Sequence, residues 1–414
     1  MQLGELDLRR SFALLLALWL CIGIAHSVLA DEAEESDETI KTVSFHHEFQ
    51  TNLGEKELPD PLPRYTYNSG LNFEYPDAVR GIYLTGHSAG NSRLEKLIDY
   101  VNETELNAMV IDIKEDNGYI SYKFPEESPY YDASKNFMSD PQAVLERLEE
   151  EQIYPIARVV VFKDTHLAHE KPEWSFKENG KVWENGKGEA FVNPFIKDVW
   201  EYNVEIAKEA AKLGFQEIQF DYVRFPEGFE TRDEILDYSR GDYDDASLDN
   251  VKERVKAVTE FVAYAKEELE PYGVDVSVDI FGYSATIEEA PGIGQNFLQI
   301  SDNVDVISSM IYPSHWGAGY FDIPNPDQVP YRLVDEYAKK ENELLAQLEE
   351  GPTSRPWIQD FTASWLYPAG KTFTYGSKQV QDQIDALYDN GIYEYLIWDS
   401  GNSYTEGVDY DPSN

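Results

Sequence analysis

One regularity narrows the folds open to this chain more than any other. Eight strand-like runs, Val79 to Thr85, Ala108 to Lys114, Tyr154 to Phe162, Phe215 to Tyr222, Val274 to Phe281, Val304 to Tyr312, Pro356 to Phe361 and Tyr393 to Asp399, are separated by helix-like patterns. The helical segments are Ser92 to Val101, Pro141 to Glu151, Pro194 to Leu213, Leu248 to Leu269, Tyr331 to Leu348 and Lys378 to Asn390, with a shorter piece after Glu288. Ser92-Arg93-Leu94-Glu95 reads as a capping box, and Asn193-Pro194 as an N-cap followed by proline at the first helical position. This order predicts an α/β protein with a (β/α)8 TIM barrel. A doubly wound open sheet is the competing architecture. It would carry a glycine-rich phosphate loop after an early strand, and neither GxGxxG nor GxxxxGK(S/T) occurs.

With 42% hydrophobic residues over 414 positions, the chain can bury a full core without disulfides. Its 34 Lys and Arg face 78 Asp and Glu, a formal charge of -44, which repels phosphate backbones and excludes a nucleic-acid binder. The acid excess runs along the whole chain and fits a saline or alkaline habitat better than a cationic ligand. Cys21 is the only cysteine and lies in an apolar stretch behind Arg9 and Arg10. Residues 1–30 therefore read as a signal peptide, with an uncleaved N-terminal anchor as the alternative; bulky Leu20 argues against a lipoprotein. Residues 31–75 form an acidic spacer and lead-in, 76–407 the barrel and 408–414 a tail. The expected product is a secreted or extracytoplasmic monomer that meets a membrane only through its N-terminal segment.

Two connections after strands are long. Lys163 to Asn193 contains Asn179-Gly180 and Asn185-Gly186, hairpin signals that predict a small β-ribbon. Pro226 to Ser247 is acidic and rich in tyrosine. In a barrel both lie on the face that carries chemistry.

Side chains on a strand alternate between faces, so Glu217, Gln219 and Asp221 share one face, and Asp275, Ser277 and Asp279 share the corresponding face of the next strand. The apolar faces must meet the helices. Two adjacent strands thus push a carboxylate each into the barrel mouth, where an unpaired one costs several kcal/mol unless it is used. Asp112 ends the second strand on its polar face and joins Asp221 and Asp279 as a third catalytic candidate. Paired carboxylates suit glycoside hydrolysis, one protonated as acid and the other ionised to attack or to stabilise the cationic sugar. The bland alternative pairs Asp221 with Arg224, caps a turn with Asp279 and pairs Asp112 with Lys114. Aromatic residues crowd the same rim: Tyr222, Tyr283, Tyr312, Trp316, Trp365 and Trp398. Sugars stack on such rings, so Tyr312, His315, Trp316 and Trp398, with Arg224, Gln359 and Asp360, form the expected substrate-binding set.

Two motifs compete. Gly86-His87-Ser88-Ala89-Gly90 satisfies the serine-hydrolase elbow and would make Ser88 a nucleophile. Its helix starts four residues too late, however, and the strands that should precede an elbow are missing. His166-Leu167-Ala168-His169 lacks a neighbouring ligand set, so neither a metal nor any other cofactor is expected.

Val79-Arg80-Gly81-Ile82-Tyr83-Leu84-Thr85, Val110-Ile111-Asp112-Ile113-Lys114, Phe220-Asp221-Tyr222-Val223-Arg224-Phe225-Pro226 and Val278-Asp279-Ile280-Phe281-Gly282 are familiar together. With Met310-Ile311-Tyr312-Pro313-Ser314-His315-Trp316 and Arg355-Pro356-Trp357-Ile358-Gln359-Asp360-Phe361, they resemble a bacterial family assigned to the glycoside hydrolases and long catalogued as a domain of unknown function. The resemblance covers Val79 to about Gly407. It implies a TIM barrel acting on a cell-wall or extracellular polysaccharide. By analogy with retaining barrel glycosidases it casts Asp221 as nucleophile or cation stabiliser and Asp279 as acid/base, with the reverse assignment open. A glycan-binding barrel without catalysis is the rival from another class.

Overall fold

A computed structural model describes residues 66–244, 247–368 and 371–413. The expected export segment with Cys21, and the acidic spacer through residue 65, lie outside the described residues. Eight parallel strands line up as expected: β1 (Arg80–Leu84), β2 (Ala108–Lys114), β3 (Tyr154–Val160), β4 (Glu217–Asp221), β5 (Asp275–Phe281), β6 (Val306–Met310), β7 (Trp357–Gln359) and β8 (Tyr395–Trp398). Neighbours pair in chain order from β1 to β6, β8 lies between β7 and β1, and Trp357 pairs with Met310 to close the circle. The seventh stave is entered early by Thr353–Ser354, which pairs with the start of β6. It is interrupted at Pro356, which has no N–H to give a ladder.

Helices α1 (Arg93–Asn102), α2 (Pro141–Glu150), α3 (Lys197–Leu213), α4 (Asn250–Leu269), α5 (Phe297–Ser301), α6 (Pro330–Leu345) and α7 (Ser377–Asp389) alternate with the strands. Their apolar stripes face the barrel; α1, for instance, buries Leu94, Leu97, Ile98 and Val101, one side of a 3.6-residue period. Among the described residues, no helix is long and apolar enough to cross a membrane.

Two helix starts differ from expectation. Ser92 has αR backbone angles and makes no side-chain capping bond; the cap belongs to Thr85, whose Oγ1 accepts from Ser88 N of a separate turn, Gly86–Ala89. Asn193 caps no helix either: α3 begins at Lys197, and Asn193 Oδ1 accepts from Phe195 N in the preceding turn. The ribbon does form. Lys177–Glu178 pairs antiparallel with Lys181–Val182 around Asn179 (φ 53°) and Gly180 (φ 76°), both left-handed as a tight hairpin demands. Asn185-Gly186 instead begins a wider turn, closed by Asn185 N donating to Glu189 O at 2.9 Å.

The barrel interior is divided. One sector is apolar, built by Tyr83, Val110, Ile156 and Leu396. Along β4 the alternation places Glu217, Gln219 and Asp221 inward, and all three are buried. Gln219 Nε2 donates to Ser308 Oγ across the interior at 3.2 Å. At the base, Arg355 Nη1 meets Glu217 Oε2 at 2.6 Å, and both side chains are fully buried. Arg355 Nε also reaches Glu394 at 2.8 Å, and its Nη2 donates to Tyr75 Oη at 2.9 Å, which ties the lead-in to the barrel floor. Removing one partner of such a pair strands the other charge. Arg355→Met is therefore expected to lower unfolding free energy by about 3–5 kcal/mol. Urea denaturation followed by tryptophan fluorescence measures it, and a loss below about 1 kcal/mol would contradict this account of the floor.

Candidate active site

The pairing of Phe220 with Val278 brings β4 and β5 into step, so Asp221 and Asp279, the next residue on each strand, reach the mouth side by side. Both line a cavity of about 920 Å³ at the C-terminal end of the barrel. Arg158, Arg224, Tyr312, Trp357 and Trp398 contribute to the same wall.

Arg158, from β3, organises the mouth, and the sequence reading passed over it. Only 2% exposed, it donates from Nε and Nη2 to Asp221 Oδ2 at 3.0 and 2.6 Å, from Nη1 to Asp112 Oδ1 at 2.7 Å and from Nη2 to Asp116 Oδ1 at 2.9 Å. Register places it there, because Arg158 pairs across the sheet with Asp112 on one side and Gln219 on the other. Asp221 Oδ1 accepts from the amide of Tyr222 at 2.6 Å. Tyr222 has φ 52°, a left-handed conformation that is costly for an aromatic residue and is held here against the carboxylate.

Asp279 is bound differently. Its Oδ1 accepts from Trp357 Nε1 at 2.7 Å. Burial, and then the charge of Asp221, push its pKa well above the ordinary carboxylate range against the opposing pull of Arg158 and Trp357. An acid with a raised pKa thus adjoins a carboxylate clamped by a guanidinium.

Asp112 accepts from Tyr83 Oη at 2.5 Å as well as from Arg158, and burial raises its pKa to about 6. Its expected alternative partner points elsewhere. By strict alternation Lys114 would share the face of Asp112, but the register shifts between them, and Lys114 Nζ meets Asp164 at 2.7 Å and Asn203 Oδ1 at 3.0 Å. Asp116 lies in the turn after β2. Burial opposes its ionisation, but Arg158 and Lys163 hold its pKa at about 2. Gly118 (φ +93°) shapes that turn, where a Cβ would come within 1.8 Å of Asp164 Oδ1.

The other predicted residues divide. Arg224 does not touch Asp221; its guanidinium lies over the rings of Tyr222 and Phe281 at 4.7 and 4.6 Å and meets Glu227 at 3.3 Å. Tyr312, His315, Trp316 and Trp398 all line the cavity, and Trp398 stacks on Tyr83 at 4.1 Å. His315 Nδ1 lies 3.1 Å from Ser314 Oγ, and burial lowers the pKa of its imidazole. Gln359 and Asp360 are occupied with holding loops. Gln359 Oε1 accepts from Ser314 N at 3.0 Å, and Asp360 Oδ2 accepts from Thr405 N at 2.7 Å, burial raising the pKa of that acid to about 6. Ser88 hydrogen-bonds Thr85 Oγ1 and lies outside the large cavity. Among the described residues, no group of three or more His, Cys, Asp or Glu is placed to hold a metal.

The closed barrel with a large cavity at its C-terminal strand ends has the architecture of the TIM-barrel glycoside hydrolases, and the protein is of that class. The family model described as "Putative glycosyl hydrolase domain" matches residues 81–404, and the chain belongs to that family. No curated protein matches the chain. Among solved structures, a hypothetical protein from Ruminiclostridium thermocellum ATCC 27405 is 36% identical over 48% of this chain and 96% of its own, with a TM-score of 0.41. The glycoside hydrolase domain of PgaB (BpsB) from Bordetella bronchiseptica is 13% identical over 79% of this chain and 95% of its own, with a TM-score of 0.55, a likeness of fold.

The electrostatic account is testable at Arg158. Arg158→Met should let the Asp116 pKa climb from about 2 toward its usual 3.8 or beyond, and push that of Asp112 above about 6, in a carboxyl-carbon NMR titration. An Asp116 still titrating near 2 would refute it.

Proposed function

We propose that this glycoside hydrolase cleaves a cell-wall or extracellular polysaccharide with Asp279 as acid/base and Asp221 as the ionised nucleophile or cation stabiliser. The observation that carries the reading is the unequal treatment of two neighbouring acids: a guanidinium holds Asp221, while burial and the charge of Asp221 keep the proton on Asp279. In the forward step the Asp279 proton passes to the leaving glycosidic oxygen as the C–O bond breaks, and Asp221 meets the positive charge at the anomeric carbon. Asp112 supports this arrangement by sharing Arg158 with Asp221. Tyr312, Trp316 and Trp398 offer ring faces to the sugar, and His315 and Arg224 offer polar groups at the rim. The acidic N-terminal stretch and apolar leader fit an exported, monomeric enzyme.

Asp279→Asn and Asp221→Asn should each reduce reducing-sugar release at least about a hundredfold. The assay is a panel of soluble β-glucan, xylan, galactan, chitosan and peptidoglycan glycan strands. Asp279→Asn should melt close to wild type, because the amide oxygen still accepts from Trp357 Nε1. Hydrolysis surviving in both variants removes the assignment.

Trp357 supplies a pH test. Its N–H stabilises the ionised form of Asp279, so Trp357→Phe should raise the acid's pKa further and move the alkaline limb of kcat/KM to higher pH. A limb that stays put, or moves down, would mean that Asp279 is not the group whose proton is lost.

A further inference from the structure

The cavity does not end at the carboxylates. Beyond Tyr312, aromatic rings continue outward along the loops after β6 and β7: Tyr312 to Phe361 at 6.1 Å between centroids, then Phe361 to Trp365 at 5.9 Å with the planes 24° apart. His315, in the cavity wall, stands edge-on to Trp365 at 6.1 Å. Trp365 is 63% exposed, the highest value among the large exposed hydrophobic residues described, and its indole beside the cavity rim is free to stack on a ligand. The other direction round the rim holds a second feature. A smaller cavity of about 300 Å³ shares Asp116 with the large one and is walled by His87 and Phe137, whose rings lie 3.8 Å apart. Buried Ser121 lines it too, and its Oγ has no hydrogen-bond partner. From β4 and β5 the loops after β1 and β2 are reached in one direction and those after β6 and β7 in the other.

Resting on the glycosidase reading, we infer that further sugars of one glycan chain occupy the Trp365–Phe361 shelf and the His87–Phe137 pocket, so that the enzyme binds the chain on both sides of the bond it cuts and acts within it. The occupant follows from continuity: each feature adjoins the cavity that receives the scissile bond, and the shelf presents a flat ring to the apolar face of a pyranose. Neither is walled off as a pocket for a chain end.

The experiment uses the full chain and whichever polymer of the panel is cleaved fastest in an Asp279-dependent manner. The wild type should lower solution viscosity well before reducing ends accumulate and release products of many lengths. Trp365→Ala should lose about five- to tenfold in kcat/KM on the polymer and distinctly less on the shortest oligosaccharide cleaved, with Trp365→Tyr recovering most of the loss. His87→Ala should show the same dependence on chain length. A single short product of constant size from the first time point overturns the inference, as does a Trp365→Ala loss equal on long and short substrates, which marks a packing role. Absence of any Asp279-dependent cleavage would instead remove the catalytic reading itself.

Discussion

A single guanidinium sets the terms for the mouth of this barrel. Arg158 is buried, and a buried cation survives only where carboxylates surround it and satisfy its donors. It finds three, Asp112, Asp116 and Asp221. The clustering in turn decides which acids are charged. Two carboxylates on adjacent strands cannot both ionise cheaply when buried together, and of the two only Asp221 touches the guanidinium. Asp279 is offered an indole N–H in place of a cation, and burial and the charge of Asp221 push its pKa well above the ordinary carboxylate range. The different surroundings of the acids on β4 and β5 are therefore written in β3 and β7.

The same economy runs the length of β4. Its inward residues alternate acid, amide, acid: Glu217 at the floor is matched by Arg355, Gln219 in the middle by Ser308, and Asp221 at the mouth by Arg158. The opposite sector, from β8 through β3, fills the interior with Tyr83, Val110, Ile156 and Leu396. A barrel filled only by such residues would be easier to stabilise. In the polar sector Glu217, Gln219 and Asp221 are each held by a partner elsewhere in the barrel, although Glu217 Oε1 and Gln219 Oε1 are buried without a hydrogen bond among the described residues.

The fold was legible because each strand is a short apolar run between polar helices, so all eight appear in the sequence within two or three residues of their ends. Asp221 and Asp279 were legible by alternation alone. Arg158 was not singled out, although Ile156-Ala157-Arg158-Val159-Val160 advertises a lone charge in a buried strand that must find acids somewhere. Trp357 escaped because an aromatic residue in a strand reads as packing, and nothing local shows that its N–H reaches across to Asp279. Lys114 misled through a register shift that periodicity does not report. Gln359 and Asp360 are polar residues at a strand end, as a site requires, but their side chains are spent on Ser314 and Thr405, partners set by tertiary packing and invisible to spacing. Ser92 carries the capping sequence, yet Thr85 takes that work in a turn the helix pattern does not include.

The charge balance of the chain meets the charge balance of the site. At -44 the surface disfavours an anionic polymer at long range. Of the cations at the mouth, Arg158, Lys163 and Arg224 each already hold a carboxylate of the protein, while Lys187 lines the cavity without an ion pair among the described residues. A substrate carboxylate that paired with Arg158 would have to displace Asp112, Asp116 or Asp221. The cavity also leaves aromatic surface unspent: Tyr312, Trp316 and Trp398 in the wall and Trp365 outside it. Recognition by ring faces suits a ligand with apolar C–H faces and many hydroxyls, as the proposed sugar substrate has.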